Sequence, residues 1–219
     1  LRALNEVEGI ERYRISSIEP NLLTDEIIAF CASSPKFQHH FHIPLQSGSD
    51  SVLARMRRRY TTAKFAERIE AVRRLMPDAF IGIDVIVGFP GETEADFRTT
   101  YEFLERLAPA YLHIFPFSER PGTPAVDFPD KVQPSVATRR VEELEKLCRR
   151  LHGEFCARAE GTTDEVLFES TMRGGMMFGY TGNYRRVKAP YDKARVNTVC
   201  RVRLGAMDES HDLMGEIRD

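Results

Sequence analysis

The chain has 219 residues, of which 42% are hydrophobic and 29% are charged, and its formal net charge is -2 at pH 7. This composition excludes a disordered chain, and the length allows one large domain with a small one, or two medium domains. No apolar run approaches the roughly 18 residues that a membrane span requires, so we expect a cytoplasmic protein with no membrane contact.

The four cysteines do not form a disulfide or metal framework by their spacing. Cys31, Cys148, Cys156 and Cys200 are far apart in the chain, and none belongs to a CxxC pair. We therefore expect scattered small hydrophobic side chains, with neither disulfides nor metal ligands. The chain opens at Leu1 without a methionine, which predicts a piece of a longer protein.

Up to residue 134 the sequence alternates predicted strands and helices. Strands are predicted over residues 12–18, 39–45, 80–89 and 111–117, and helices over 24–30, from 49 or 50, from 61 or 62 to 75, and from 93 to 107. The nearly continuous apolar run at 80–89 is typical of a parallel strand covered on both faces. Thr93 and Asp96 match a capping box that starts the next helix. This order favours an α/β fold with parallel strands.

The pattern changes after residue 134. An amphipathic stripe predicts one long helix over residues 135–158. Short alternating segments at 166–168, 184–187 and 198–204 are divided by turns that contain glycine or proline, and they predict a small all-β barrel. We therefore divide the chain into an α/β part at 1–134, a connecting helix at 135–160 and a β-barrel at 161–219.

Polar residues follow the predicted parallel strands, at the edge where α/β folds bind ligands. Gln46, Ser47 and Ser49 follow one strand, Gly88 ends the next, and residues 118–120 follow the last. Each position alone is typical of a turn or a helix cap, but together they predict a ligand site. Gly88 also lets the backbone approach a flat ligand, because no Cβ stands in the way.

Asp84 lies inside an apolar strand, and its carboxylate requires a partner. Burying an unpaired charge costs roughly several kcal/mol. We expect the partner to be an arginine, for which residues 57–59 are candidates, or a hydroxyl or amine of a ligand. His39, His40 and His42 should point to opposite faces of their strand, so we do not expect them to bind a metal.

The barrel segment is predicted to bind RNA through basic side chains. Eight basic residues and one acid, Asp192, lie between Thr171 and Arg203. The candidate RNA-binding residues are Arg173, Arg185, Arg186, Lys188, Arg201 and Arg203, with Tyr180, Tyr184 and Tyr191 nearby. Basic side chains interleaved with aromatic rings suit a phosphate backbone and unstacked bases, and a merely solubilising face would mix both signs of charge.

Four motifs resemble those of the radical S-adenosylmethionine methylthiotransferases. They are residues 42–50 (HIPLQSGSD), 56–60 (MRRRY), 86–93 (IVGFPGET) and 118–125 (SERPGTPA), in the order and spacing of that family. The sequence from about residue 161 is similar to the TRAM domain at the C-terminal end of the same family. Residues 57–60, 80–84 and 179–184 most resemble the branch that modifies N6-threonylcarbamoyladenosine next to the tRNA anticodon.

The resemblance implies an incomplete (β/α) radical-SAM barrel that contains only the later strands, followed by a small all-β TRAM barrel. It implies S-adenosyl-L-methionine and two 4Fe-4S clusters, one of them on an upstream domain. Cofactor cleavage would give a deoxyadenosyl radical that abstracts a hydrogen from the adenine, and a methylthio group would then be installed at C2. By motif position, Gln46 and Asp84 would contact the ribose or amino-acid part, Arg58 the carboxylate, and Phe115 the adenine. Ser47 and Gly88 are further cofactor-binding candidates.

The CxxxCxxC loop of the family is absent from this sequence, so the resemblance places the cluster ligands upstream. We therefore expect the isolated chain to be inactive. The implied partners are a tRNA anticodon stem-loop and an electron donor of flavodoxin or ferredoxin type, and we expect a monomer. Alternatives are the same chemistry on isopentenyladenosine tRNA or on a ribosomal protein, for which an acidic barrel would be expected. A non-catalytic RNA-binding module is the alternative from another class.

Overall fold

A computed structural model describes residues 1–218 and contains an open parallel sheet and a closed antiparallel barrel, joined by a long helix. The helices are α1 (Arg2–Asn5), α2 (Asp25–Ser33), α3 (Asp50–Arg55), α4 (Thr62–Leu75), α5 (Glu94–Leu107) and α6 (Pro134–Ala157). The sheet strands are β1 (His40–Gln46), β2 (Phe80–Val87) and β3 (Tyr111–Pro116). The barrel strands are β4 (Thr163–Arg173), β5 (Met176–Thr181), β6 (Arg186–Pro190), β7 (Val199–Met207) and β8 (Leu213–Arg218).

The sheet has three parallel strands in the order β1-β2-β3, as the apolar runs predict. Alternation along the strands gives the sheet two different faces. The outer face carries buried residues such as Ile43, Ile83 and Leu112, which pack with α4, α5 and α6 in one hydrophobic core. The opposite face, called here the inner face, carries His42, Asp84 and other polar or aromatic side chains.

Threonine hydroxyls fix the starts of three helices that cover the sheet. Thr24, Thr61 and Thr93 each accept a hydrogen bond from a backbone amide in the first turn of α2, α4 and α5. Each bond satisfies one of the amides that a helix start leaves without an intrahelical partner. Thr93 and Asp96 form the complete capping box that the sequence predicts.

The strand predicted over residues 12–18 is wrong. This segment is extended but forms only one isolated bridge, between Tyr13 and Phe37, and a bond from the Ile18 amide to the His42 carbonyl at 3.0 Å. Alternation of side chains makes a segment extended, but a strand also needs a continuous partner. Here residues 13–18 only partly line the free edge of β1.

Helix α6 matches the predicted amphipathic helix and packs its apolar stripe against β3. Leu144, Leu147 and Leu151 are buried in the core of the sheet. The Cys148 Sγ lies 3.3 Å from the Leu112 amide nitrogen, which ties the helix to the strand. No helix within residues 1–218 is both long enough and apolar enough to cross a membrane.

The β-barrel predicted after residue 161 is present, although its strands differ from the prediction. The barrel closes in the order β4-β5-β6-β8-β7 around Phe168, Met177, Val202 and other apolar side chains. Strands β5 and β8 are missing from the sequence prediction, and Tyr184 lies in a turn with φ 67°, before β6 begins. Gly179 lies within β5 and not in a turn. Glycine is required at this position because any Cβ there would approach the Leu167 carbonyl oxygen to 2.4 Å.

Candidate functional site

The turn after β1 is buried and rigid. Gln46 and Ser47 are 8% and 0% exposed, and Gln46 has φ 72° where the β1–β2 register shifts. Thr100 of α5 holds the turn, since its hydroxyl accepts the Gly48 amide at 3.1 Å and lies 3.3 Å from the Ser47 hydroxyl. A Cβ on Gly48 would meet the Thr100 Cα at 2.7 Å, so glycine is required for this close approach.

Asp96 links the β1 turn to the start of α5. The hydroxyls of Ser49 and Ser51 each donate to Asp96 Oδ1 at 2.6 Å, and the Thr93 hydroxyl donates to Oδ2 at 2.6 Å. Partial burial would raise the pKa of Asp96, but these hydrogen bonds outweigh it and hold the pKa well below its usual value. Ser49 therefore serves the architecture of the turn.

A buried ion pair fixes the loop after β2. Glu92 Oε2 accepts the Gly88 amide at 2.6 Å and pairs with Arg140 of α6 at 2.6 Å, and neither charged side chain is more than 3% exposed. Gly88 has φ 79°, and a Cβ there would contact Ala137 at 3.0 Å. The sequence prediction missed Glu92, because its partner lies 48 positions away.

Next to the carboxyl ends of the strands is a cavity of about 280 Å³. Its lining combines apolar and basic side chains: Arg55, Met56, Arg57, Arg58, Ile86, Phe89, Phe117, Thr123, Pro124, Ala125 and Phe128. Arg58 Nη1 lies 3.3 Å from Glu19 Oε1, so Glu19 orients this arginine. Phe115 lies at the end of β3 with a ring that is 51% exposed.

Asp84 finds its partner on the neighbouring strand. His42 Nε2 lies 2.6 Å from Asp84 Oδ1, so the partner within the chain is a histidine and not an arginine at 57–59, while the expected contact with a ligand group stays a prediction. His113 of β3 approaches from the other side, with its ring centroid 4.8 Å from that of His42. Burial, aided by His42, lowers the pKa of His113, which therefore remains neutral at physiological pH.

The prediction that the side chains of His39, His40 and His42 point to opposite faces of the strand is wrong for two of them. His40 and His42 are two positions apart and both line the inner face, because side chains at i and i+2 of a strand share a face. The His40 ring stacks on Phe80 at 4.8 Å. Burial, together with the nearby charge of Arg14, lowers the pKa of His40 to about 4.

A larger cavity of about 750 Å³, called here the junction cavity, separates the inner face from the barrel. Aromatic rings and two arginines, Arg14 and Arg186, form much of its wall. Tyr180 and Tyr184 of the barrel stack at 4.6 Å, and the Arg14 guanidinium lies 4.2 Å from the centroid of the Tyr184 ring. Within residues 1–218 Arg14 forms no ion pair with an acidic side chain, so its charge remains available to a ligand.

Three of the six basic residues predicted to bind RNA are engaged by acids of the chain. Arg185 is 1% exposed, forms two bonds to Asp78 at 2.7 and 2.8 Å, and donates to the Phe155 carbonyl. Arg186 pairs with both carboxylate oxygens of Asp212, and Lys188 pairs with Asp208. The assignment of Arg185 to an RNA surface is corrected, because its guanidinium holds the barrel against the sheet.

The other three basic residues, Arg173, Arg201 and Arg203, are exposed on the barrel. The strand register places Arg201 beside Glu165 of β4 and Arg203 beside Glu216 of β8. The prediction of a barrel surface with one sign of charge is therefore wrong on this side. Strand pairing brings acidic residues from distant parts of the sequence next to these arginines, and the local sequence does not reveal this pairing.

All four cysteines are buried and free. Burial raises the pKa of Cys31 and of Cys156 to about 11, and it also raises the pKa of Cys148. A 4Fe-4S cluster needs several thiolates that converge on one point. Cys31 and Cys148 belong to the core of the sheet, Cys200 to the core of the barrel and Cys156 to a third group of buried residues, so the four thiols do not fit such a cluster.

Comparison with known proteins shows which family this chain resembles. The model of the radical SAM superfamily matches residues 1–104. The chain is 41% identical over 202 residues to threonylcarbamoyladenosine tRNA methylthiotransferase MtaB of Bacillus subtilis, covering 90% of this chain and 45% of that protein. It is 38% identical over 218 residues to tRNA-2-methylthio-N(6)-dimethylallyladenosine synthase of Geobacter sulfurreducens, covering 99% of this chain and 49% of that protein.

The synthase of the same name from Corynebacterium urealyticum is 43% identical over 171 residues, which are 78% of this chain and 32% of that protein. The chain thus spans less than half the length of these relatives. Among solved structures, coproporphyrinogen III oxidase (HemN) of Escherichia coli, described as a radical SAM enzyme, aligns with a TM-score of 0.54. At 12% identity, over 89% of this chain and 46% of HemN, this likeness shows the fold alone.

Proposed function

The chain belongs to the radical SAM methylthiotransferases, and on this premise we propose that it is part of an enzyme that transfers a methylthio group to C2 of a modified adenosine in tRNA. The observation that carries the proposal is the coincidence of the family motifs with the strand ends. Gln46, Ser47 and Gly88 occupy buried turns at one edge of the parallel sheet, where ligands of α/β folds bind.

The residues at the strand ends fit S-adenosyl-L-methionine. The cavity of about 280 Å³ offers aromatic rings for an adenine and the guanidinium of Arg58 for a carboxylate. Gln46, Ser47, Gly88 and Phe115 do not line this cavity, so their cofactor contacts stay predictions. Asp84 lies deeper in the sheet and is bound to His42 through Oδ1, so a cofactor contact there would use its remaining acceptor capacity. When bound next to a reduced iron-sulfur cluster, this cofactor supplies radical chemistry.

The cluster itself does not fit the thiols of this chain. We therefore propose that its ligands, and those of a second 4Fe-4S cluster, come from residues outside these 219, and that the chain alone is inactive. The division into a partial radical-SAM barrel at 1–134, a connecting helix at 135–160 and a TRAM-type barrel at 161–219 is part of the same proposal. The electron donor of flavodoxin or ferredoxin type and the monomeric state also stay predictions.

The RNA contacts that we propose differ from a purely basic barrel surface. The junction cavity presents the guanidinium of Arg14, which suits a phosphate, in a stack with the rings of Tyr184 and Tyr180, and an unpaired base would stack at an open end of it. Arg173, Arg201 and Arg203 add charge on the barrel, while Arg186 and Lys188 reach RNA only by exchanging their acidic partners. The partner proposed for this surface is the anticodon stem-loop of tRNA.

N6-threonylcarbamoyladenosine is our first choice of substrate, because the identity to the Bacillus MtaB protein is 41% over 202 residues, against 38% over the 218 residues that align with the Geobacter synthase. Isopentenyladenosine is the second candidate, since the dimethylallyladenosine synthases match at 38 to 45% identity. A ribosomal protein is disfavoured, because the exposed Arg201 and Arg203 are not the acidic barrel expected for a basic partner.

The test is expression of the complete coding sequence that contains this chain in a bacterium from which both tRNA methylthiotransferase genes have been deleted. Mass spectrometry of tRNA nucleosides should show the methylthio derivative of threonylcarbamoyladenosine. A methylthio derivative of isopentenyladenosine instead would change the substrate but keep the chemistry. Absence of both products, with the protein expressed and its iron content normal, would contradict the proposed function.

A second test uses the chain itself. Arg14→Ala should weaken binding of an anticodon stem-loop and reduce the slope of log K against log salt by about 1, because one phosphate contact is lost. The matched control is Arg2→Ala, since Arg2 is an exposed arginine that pairs with Glu26. Equal binding of wild type and Arg14→Ala across the salt series would remove the junction cavity from the RNA interface.

A further inference from the structure

Two imidazoles and one carboxylate converge on the inner face of the sheet. His42 comes from β1, Asp84 from β2 and His113 from β3, and their ligating atoms all lie within 4.8 Å of one another. Each of the three side chains is partly buried, and the two histidines line the junction cavity. No acidic side chain other than Asp84 belongs to the cluster among the described residues.

Gly82 provides the space in which the three groups meet. In the strand register Gly82 lies beside His42, and Asp84 lies beside His113. A Cβ at position 82 would lie 3.7 Å from His113 Nε2 and 3.0 Å from the Phe80 ring. Any longer side chain there would occupy the gap between the two histidines.

We propose that His42, Asp84 and His113 form a binding site for a divalent first-row transition metal ion. Two imidazole nitrogens and one carboxylate oxygen are a donor set that such ions bind, with the remaining positions taken by water from the cavity. Ligand atoms around one ion lie roughly 3 Å apart when metal–ligand distances are about 2.1 Å. The present separations of up to 4.8 Å would therefore shorten when the ion binds.

This site is independent of the proposed methylthiotransferase function. It uses only side chains of this chain and requires neither the iron-sulfur clusters nor tRNA. Because Asp84 is also a candidate cofactor contact, binding of the metal ion is measured in the absence of S-adenosyl-L-methionine. A failed metal test therefore leaves the proposed function intact, and a failed tRNA assay leaves the metal site intact.

The experiment is titration of the purified chain with ZnCl₂ by calorimetry, with Co²⁺ absorption as a second signal. We expect one Zn²⁺ per chain and a Kd of about 1 μM or tighter. His42→Gln, Asp84→Asn and His113→Gln should each weaken binding at least about tenfold. At the same Zn²⁺ concentration the thermal midpoint of the wild type should rise more than that of each of the three variants, because a ligand that binds only the folded state stabilises it in proportion to ln(1 + [L]/Kd).

Two controls separate this site from other histidines. His39→Gln lies outside the cluster, and His152→Gln removes a different histidine of the junction cavity, so both should bind Zn²⁺ as the wild type does. His113 makes no hydrogen bond within the described residues, so His113→Gln should fold even if Asp84→Asn does not. The site is overturned if the wild type binds no Zn²⁺, or if His42→Gln and His113→Gln bind it with unchanged affinity.

Discussion

The inner face of the sheet and the surface of the barrel both carry polar side chains, but the two regions use them differently. On the inner face, Asp84 has one hydrogen-bond partner, His42, and His113 has none among the described residues. Both histidines line a large cavity. On the barrel, Arg185 and Arg186 each hold a carboxylate of the same chain through two bonds.

This contrast shows that the charge of a side chain does not by itself determine whether the side chain can bind a ligand. An arginine whose guanidinium is already paired contributes to packing and offers little to a phosphate. A carboxylate or imidazole with unused hydrogen-bonding capacity at a cavity wall remains available to a ligand. The excess of basic residues in the barrel sequence therefore overstates its RNA-binding surface, whereas three isolated polar residues in apolar strands understate the inner face.

The largest expected effect is at the junction between the two regions. Arg185→Ala removes the bonds to Asp78 and leaves the buried Phe155 carbonyl without its donor. We expect the free energy of unfolding, measured with urea, to fall by about 3 kcal/mol. A double-mutant cycle with Asp78→Ala should give a coupling above about 1 kcal/mol. A coupling of zero would mean that Arg185 does not join barrel and sheet.

A smaller effect is expected at the β1 turn. Asp96→Asn should lower the free energy of unfolding at pH 7 by about 1–2 kcal/mol, because charge-assisted hydrogen bonds at a helix start are lost. The pKa of Asp96 is lower in the folded state than its usual 3.8. The stabilisation is therefore full above pH 3.8 and is lost as the pH falls through the folded pKa.

The measurement is a series of urea unfolding curves for Asp96→Asn and the wild type from pH 7 downward. The difference between them should stay constant to about pH 4 and shrink below the usual carboxyl pKa of 3.8. Asp50→Asn, a change in another exposed first-turn carboxylate, is the matched control. A difference that grows on acidification would contradict the assigned direction of the pKa shift.

The smallest effect is expected where a charge has no partner. Arg203→Ala should change the free energy of unfolding by less than about 0.5 kcal/mol, since the Arg203 side chain is exposed and forms no ion pair within residues 1–218. Thermal melts of wild type and variant are sufficient to measure this. A loss as large as that of Arg185→Ala would erase the contrast between paired and unpaired arginines.

Most of the α/β part could be predicted from sequence, because its signals are local. The threonine caps at Thr24, Thr61 and Thr93 act within one helical turn, and the apolar run of β2 needs no distant partner to be recognised. The strand predicted at residues 12–18 failed for the opposite reason. Its alternation is real, but pairing depends on a neighbour that runs beside it only at Tyr13.

The candidate site divides in the same way. The turns that carry Gln46, Ser47 and Gly88 could be predicted, because polar and small residues directly after apolar strands mark the binding edge of a parallel sheet, and their contact with a cofactor stays a prediction. Glu92 and its buried partner Arg140 were missed, and so were Arg14 and Tyr184 as neighbours. In each of these pairs the two residues belong to elements that the sequence does not place side by side.

By itself the sequence determined the order of strands and helices, the helix starts and the family motifs, because each depends on hydrogen bonds and side-chain periodicity within a few residues. Only the tertiary structure decided which charges meet. Arg185 and Asp78 are 107 positions apart, and His42 and Asp84 are 42 positions apart. Such pairs form where the path of the chain brings two elements together, and that path is set by the packing of the whole core.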